Sequence, residues 1–204
     1  MSDPSGPRVA LTFDAEHGDH PSRPDAPDAL VEALGRAGVH ATFFMQGAWA
    51  QAFPGRARRI AGDGHLVGSH SHWHAPLDLL TDAGIAEDLV KAEAAIEDAT
   101  GAHPRPWFRC PYGAGADDPR VADALGRAGY RHRHWDVDPR DWEPGRSAEA
   151  VTADVVEGAA RHGDGAVVLL HVWPAATAAA APAIVAGLRA AGARLVRLDE
   201  VAEP

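Results

Sequence analysis

Cysteine occurs once, as Cys110, so no disulfide can form within the chain and a small disulfide-built scaffold is excluded. Positive charge is also scarce: 19 Lys and Arg stand against 29 Asp and Glu, for a formal net charge of −10. No basic patch for nucleic acid or an anionic membrane surface is expected, and a neutral or cationic substrate fits better. Lysine is nearly absent, Lys91 being the only one, which together with the abundance of alanine reads as genome composition rather than function. No apolar run approaches the roughly 20 residues of a membrane span. The alanine-rich stretch 175–186 is interrupted by Thr177 and Pro182 and reads as a helix of a soluble protein. The opening "MSDPSGP" has neither the positive segment nor the apolar core of a signal peptide. As given, the chain is expected in the cytoplasm, with secretion left open.

The 204 residues, 46% of them hydrophobic, suit one domain spanning residues 1–204 with a substantial core. Strand-like and helix-like segments alternate. Strands are expected at 8–13, 40–45, 65–69, 106–109, 130–137, 166–172 and 193–198. Helices are expected at 27–38, 48–62, 82–101 (opened by Asp82), 118–129, 147–163 (capped by Ser147) and through the alanine-rich stretch. The unbroken apolar run "AVVLLHV" reads as a strand buried on both faces. Seven such steps predict an α/β fold with about seven parallel strands, open or closed as a barrel.

Polar groups collect where strands end: Asp14, His70, Arg109, Asp138 and His171. In parallel α/β folds these ends converge on the face where ligands bind. "LTFDAEHGDH" (11–20) is the densest such point, with Asp14, Glu16, His17, Asp19 and His20 directly behind an apolar run. "GSHSHWHAPL" (68–77) holds His70 and His74 four apart, a spacing that can chelate one divalent metal. Two histidines leave such a site short, because a catalytic zinc normally takes three protein ligands and a water, so a carboxylate must come from elsewhere. Read alone, the segment is more readily a solvated histidine-rich loop than a metal site.

"FRCPYG" (108–113) offers Arg109, which could orient a carboxylate or simply tie down a loop. Cys110 reads as a small buried hydrophobe rather than a nucleophile. "WDVDPRDW" (135–142) supplies Asp136, Asp138 and Asp141, residues equally at home as turn and cap formers. His171, ending an apolar strand, is a core histidine or, beside a carboxylate, a general acid. Trp49, Trp73, Trp107, Trp135 and Trp173 are candidates for sugar stacking, although core packing is the commoner fate of tryptophan.

Taken together, five segments in order resemble the polysaccharide deacetylases of carbohydrate esterase family 4, the NodB-homology domain. They are "TFDAEHG" against the usual TFDDG, "HSHWH" against H-[ST]-x-x-H, "RCPY" against R-x-P-Y, "DPRDW" against D-x-x-D-W, and "LLH" against L-x-H. The resemblance covers about residues 8–200. It implies a distorted (β/α) barrel and metal-dependent hydrolysis of an N-acetyl, less often O-acetyl, group on a carbohydrate. By motif position Asp14 would be the general base, His70 and His74 metal ligands, and Arg109 the orienter of Asp14. The backbone N–H of Tyr112 would bind the oxyanion, Asp141 would tune the general acid His171, and Trp142, Leu169 and Pro111 would shape the substrate pocket. The implied cofactor is one divalent metal ion, with zinc the expected identity, and the implied partner an acetylated amino sugar or oligosaccharide.

The pattern breaks at residue 15. The family's second aspartate, its usual third ligand, is Ala15 here, and an alanine cannot ligate. Glu16 is the best substitute, because in an extended chain Asp14 and Glu16 point to the same side. His17, Asp19 and His20 are weaker stand-ins, and His20 could line the cleft instead. Three readings follow: an active metal-dependent deacetylase, which is favoured; a C–N hydrolase of the same fold acting on a non-carbohydrate amide or cyclic ureide; and a non-catalytic carbohydrate-binding relative. Retention of the histidine pair, base, acid and arginine argues for the first.

Overall fold

The structure, a computed structural model, describes residues 6–18 and 23–201. Asp19 and His20 lie outside the described residues. Strands β1 (Arg8–Ala15), β2 (Thr42–Met45), β3 (Leu66–Ser69), β4 (Trp107–Phe108), β5 (Arg131–His132), β6 (Ala166–His171) and β7 (Arg194–Val196) form one sheet. Helices α1 (Ala26–Arg36), α2 (Gly47–Ala52), α3 (Pro54–Gly62), α4 (Asp82–Thr100), α5 (Pro119–Arg127), α6 (Ala148–His162) and α7 (Ala175–Ala190) connect them. Every strand pairing is parallel, in the order β5-β4-β3-β2-β1-β6. β7 pairs with the start of β1, at Arg8–Ala10, whereas β2 takes its end, at Thr12–Ala15. Among the described residues no helix is long and apolar enough to cross a membrane.

Strands β1 and β6 are the apolar spine, in register from Val9 opposite Ala166 to Asp14 opposite His171. Both are buried throughout apart from Arg8, because helices cover the sheet, and this is why they read as continuous hydrophobic runs. Phe13 stacks on Phe43 of β2 with ring centroids 5.1 Å apart. Buried hydroxyls in and beside this spine are satisfied: that of Thr12 donates to the Val168 carbonyl at 2.6 Å, and Thr42 Oγ1 of β2 accepts the Leu198 N–H at 3.0 Å.

The sheet curls until its ends nearly meet. Closure runs through one isolated parallel bridge, Val137 to Val168, with the Leu169 N–H donating to the Val137 carbonyl at 2.9 Å. Gly158 on α6 makes room for it, since a Cβ there would lie 2.5 Å from Val137 Cγ1. The expected strand 130–137 is therefore only Arg131–His132. Its polar alternation "RHRHWD" offers no apolar face to bury, and the backbone leaves the ladder before touching β6 at Val137.

Two further expectations change. The expected helix 48–62 is two helices, because Pro54 supplies no N–H and holds Phe53 outside helical geometry, at φ −129° and ψ 55°. The cap of α4 is Thr81 rather than Asp82: Thr81 Oγ1 accepts the Gly84 N–H at 3.1 Å. Ser147 caps α6 as expected, accepting the Ala150 N–H at 3.2 Å.

His65 shows what burial does to an imidazole in this core. Its Nδ1 accepts the Ala41 N–H at 3.0 Å and its ring meets Phe43 edge-on at 4.9 Å. Burial, aided by the neighbouring His40, pushes its pKa down to about 4 from 6.5. A group lowered in this way stays neutral when folded but takes up a proton when unfolded, so its contribution is lost as pH falls from about 6.5 towards 4. In urea unfolding of metal-free protein at pH 7 and pH 4.5, His65→Asn, which keeps an acceptor but does not titrate, is expected to lose less stability than the parent by up to about 2 kcal/mol. Equal losses in both proteins would contradict this account of His65.

Candidate active site

The side chains that leave the carboxyl ends of β1, β3, β4 and β6 meet in one place. β1 delivers Asp14, its penultimate residue, and Glu16 at the bend beyond it, both at most 4% exposed. β3 ends at Ser69 and passes into a loop carrying His70 and His74. β4 ends at Phe108, followed by Arg109, and β6 ends on His171. Parallel pairing puts all these ends on one rim, and the register fixes Asp14 directly opposite His171.

Arg109 is fully buried. Its Nη1 donates to Asp14 Oδ1 at 2.8 Å and its Nε donates to the Arg133 carbonyl at 3.2 Å. Its own carbonyl lies 2.9 Å from His70 Nδ1. Nδ1 therefore carries the proton and donates, which turns the lone pair of Nε2 towards the cavity. There His70 Nε2 stands 3.1 Å from His74 Nε2 and 3.3 Å from Glu16 Oε2, with His74 Nε2 2.6 Å from the same oxygen.

These three atoms can hold a divalent cation. Glu16 Oε2 is buried yet receives no hydrogen bond in acceptable geometry. Glu16, His70 and His74 lie mutually within 4.8 Å, and their two imidazoles and one carboxylate are a donor set that suits zinc better than calcium or magnesium. Burial pushes the Glu16 carboxyl upward, but contacts with the His70 and His74 rings and the charges of His70 and His171 outweigh it, holding its pKa well below the usual value. The carboxylate is thus ionised, as a ligand must be.

The loop bearing the histidines is itself clamped. Asp88 of α4, buried at 3% exposure, accepts the His72 N–H at 2.8 Å and the Trp73 N–H at 3.0 Å. Ser71 Oγ accepts the His74 N–H at 2.9 Å. Ser71 and His74 have left-handed φ values of 62° and 59°, a strain that these bonds hold in place.

On the opposite wall, Asp141 Oδ1 lies 2.8 Å from His171 Nδ1. Asp141 Oδ2 accepts the His171 N–H at 2.8 Å and the Thr177 hydroxyl. Burial pushes the His171 imidazolium down, but the Asp141 charge and hydrogen bond, with Glu16 and Asp14 behind them, prevail and raise its pKa to about 9. His171 Nε2 is left facing the site, 3.9 Å from Glu16 Oε1.

The cavity is about 300 Å³ and is lined by Asp14, Glu16, His70, His74 and His171 together with Tyr112, Trp135, Asp138, Trp142, Leu169 and Trp173. Tyr112 sits in a tight turn with φ 57°, its ring 4.5 Å from that of His74. Pro111, expected in the pocket, is buried in that turn and is not among the lining residues. Cys110 is buried beneath the same turn, and burial pushes its thiol up to about 12, which removes any nucleophilic character at neutral pH. Trp49 belongs to the core and Trp73 is 61% exposed, outside the cavity lining. His17 is exposed.

Sequence reasoning missed Thr177, Asp88 and the orientation of Trp173. Thr177 had a signal, a lone hydroxyl in an alanine run. Asp88 had one too, as a carboxylate inside the Ile85, Leu89, Ala92, Ile96 stripe of α4. Trp173, whose Nε1–H donates to Glu16 Oε1 at 3.3 Å, carried none.

Residues 2–132 match the family model for polysaccharide deacetylases. A peptidoglycan-N-acetylglucosamine deacetylase of Listeria monocytogenes is 37% identical over 194 residues, which is 95% of this chain but 38% of that protein. The chain therefore spans well under half the length of that relative. A family 4 carbohydrate esterase from Streptomyces lividans, solved with acetate, superposes with a TM-score of 0.81 at 31% identity, over 94% of this chain and 92% of that one. A Bacillus anthracis protein described as a CE4 family pseudoenzyme superposes with a TM-score of 0.85 at 26% identity, over 98% of this chain and 66% of that one. Backbone likeness therefore does not separate active from inactive members, and the site itself has to carry that argument.

The His171–Asp141 pair makes a measurable claim. In a titration of the metal-free protein followed by NMR of the imidazole resonances, His171 is expected to titrate near 9. In Asp141→Asn, where burial persists without the raising charge, it should titrate well below that. An unchanged value in the variant would remove Asp141 as the cause.

Proposed function

The chain belongs to the polysaccharide deacetylase family, and from that premise we propose that it hydrolyses the N-acetyl group of an amino-sugar unit in a glycan or oligosaccharide, with a divalent metal at Glu16, His70 and His74. The observation that carries this reading is the convergence of the three donor atoms in the same cavity as an arginine-held carboxylate and an aspartate-held imidazole. A divalent ion there, expected to be zinc, supplies Lewis-acid polarisation of the amide carbonyl and acidifies a water molecule.

The protein's own groups supply the remainder. Asp14 takes the proton of the attacking water. Its Oδ1 is occupied by Arg109, so Oδ2, 3.5 Å from His70 Nε2, is the oxygen that faces the reaction. The backbone N–H of Tyr112 donates to the developing oxyanion, a contribution of roughly 10²–10³ in rate. His171, protonated at neutral pH, gives its Nε2 proton to the departing amine, while Asp141 holds Nδ1 and stabilises the charged form. Trp142 and Leu169 form the apolar wall for the acetyl methyl group. The lining contains carboxylates but neither lysine nor arginine, which favours a neutral N-acetylhexosamine over an anionic sugar.

The intact three-donor set speaks against a metal-free amidase or ureide hydrolase. The paired base and acid speak against a purely binding role, since carbohydrate binding requires neither. Acetate release from N-acetylglucosamine oligomers, assayed with zinc-loaded protein, tests the reading. Wild type is expected to release acetate. Asp14→Asn should bind metal normally but lose roughly 10²–10⁴ in rate. Absence of acetate release from wild type, or an Asp14→Asn rate within tenfold of it, would remove this function or this base.

A further inference from the structure

The carboxylate that the family places at residue 15 is missing, and Ala15 belongs to the apolar core. Ala15 is the last residue of β1, opposite Met45 and with no exposure to solvent. Glu16 stands one residue further on, past the end of the strand ladder, where a glutamate has more side-chain freedom than an aspartate on a strand. Something else must hold it.

The two oxygens of Glu16 face different partners. Its Oε2 faces His70 and His74, at 3.3 and 2.6 Å. Its Oε1 accepts the Trp173 indole N–H at 3.3 Å. Trp173 is 7% exposed and lies two residues beyond the end of β6, so the strand that supplies His171 also positions this donor. The indole is wedged in place. Gly18 passes so close to its face that a Cβ at residue 18 would lie 2.7 Å from Trp173 Cδ2. The intervening backbone is tied as well, the His17 N–H donating to Gln46 Oε1 at 3.1 Å and the Gln46 N–H to the Ala15 carbonyl at 2.9 Å.

We propose that Trp173 is a positioning residue whose indole N–H fixes Glu16 Oε1, so that Oε2 alone is presented to the histidine pair and a glutamate beyond the strand can replace the carboxylate lost at Ala15. This rests on the reading of Glu16 as a metal ligand. It adds a residue outside the five motifs, and it makes the departure at residue 15 part of a matched set: Glu16, Gly18 and Trp173. Partners that orient a ligand typically govern tenfold to hundredfold in metal affinity.

The test is a double-mutant cycle on zinc affinity, read by competition with a chromophoric chelator, in wild type, Trp173→Phe, Glu16→Gln and the double variant. Phenylalanine keeps an aromatic ring beside Gly18 and removes the N–H together with part of the indole's volume, and the Glu16→Gln background separates the two effects. Trp173→Phe is expected to weaken zinc binding about ten- to a hundredfold. Glu16→Gln should weaken it further, and the double variant should be no weaker than Glu16→Gln beyond about twofold, as expected if the effect of the indole on zinc passes through that carboxylate. The absorption spectrum of the cobalt(II)-loaded protein should change in Trp173→Phe and remain the same between Glu16→Gln and the double variant. Gly18→Ala, which displaces the indole without removing its N–H, should weaken zinc binding in the Glu16 background only. Wild-type affinity in Trp173→Phe overturns the proposal, as do fully additive effects, or an affinity loss that follows the melting temperature of the metal-free protein in both backgrounds. Unchanged affinity in Glu16→Gln is a separate result: it overturns the ligand reading itself.

Discussion

A guanidinium with no exposure to solvent stands between the proposed base and the proposed metal ligands, and the site depends on it. Arg109 pairs with Asp14 through its side chain and fixes the tautomer of His70 through its carbonyl. The Phe44 ring lies 4.2 Å from its Cζ, and the Arg133 carbonyl accepts its Nε–H. A buried ion pair of this kind adds little net stability, because desolvation offsets the attraction, but breaking it leaves an uncompensated charge in the core. One residue thus ties together the carboxylate that would take a proton and the imidazole that would hold a metal. A lysine could not replace it, since a single ammonium cannot reach Asp14 and the Arg133 carbonyl along a fixed planar fork.

Around that residue the site is a balance of buried charges. Asp14, Glu16 and Asp141 face Arg109, His70, His74 and His171 at distances that keep the carboxylate of Glu16 ionised and the imidazole of His171 protonated. The two walls push in opposite directions on groups of opposite kind. The ionised Glu16 is then free to ligate a metal and the protonated His171 to give a proton, while the arginine-held Asp14 is left for the base role. Likeness to both an esterase and a pseudoenzyme shows that the curled sheet alone does not secure this balance.

Much of this was legible in the sequence because parallel strands advertise their ends. Continuous apolar runs at 8–13 and 166–171 mark strands buried on both faces, and the polar residue that terminates each is forced onto the common rim. Hence Asp14, His70, Arg109 and His171 could be read as neighbours from widely separated segments, and Glu16 as a candidate on the same side as Asp14, although it stands at the bend beyond the strand. What escaped reading depends on tertiary context. The strand at 130–137 looked long because it alternates, but its partner edge is available only at 131–132 and again at Val137. The break at Phe53 has its signal in Pro54, which supplies no amide N–H. Asp88, Thr177 and Trp173 hold backbone amides or carboxylates that are distant in sequence; the local pattern marks Asp88 and Thr177 as polar groups in apolar surroundings but does not name their partners. Pro111, expected in the pocket, is instead a buried member of the turn that presents Tyr112.

The central claim is that Glu16 and the two histidines, not Asp14, hold the metal, leaving Asp14 to act as base. A crystal structure of the zinc-loaded protein, with the ion located by anomalous scattering at the zinc edge, tests this most directly. The account predicts a single ion bound by Glu16 Oε2, His70 Nε2 and His74 Nε2, with Asp14 still paired to Arg109. An ion ligated by Asp14 with Glu16 turned away from the histidines, or no ordered ion at this site, would contradict it.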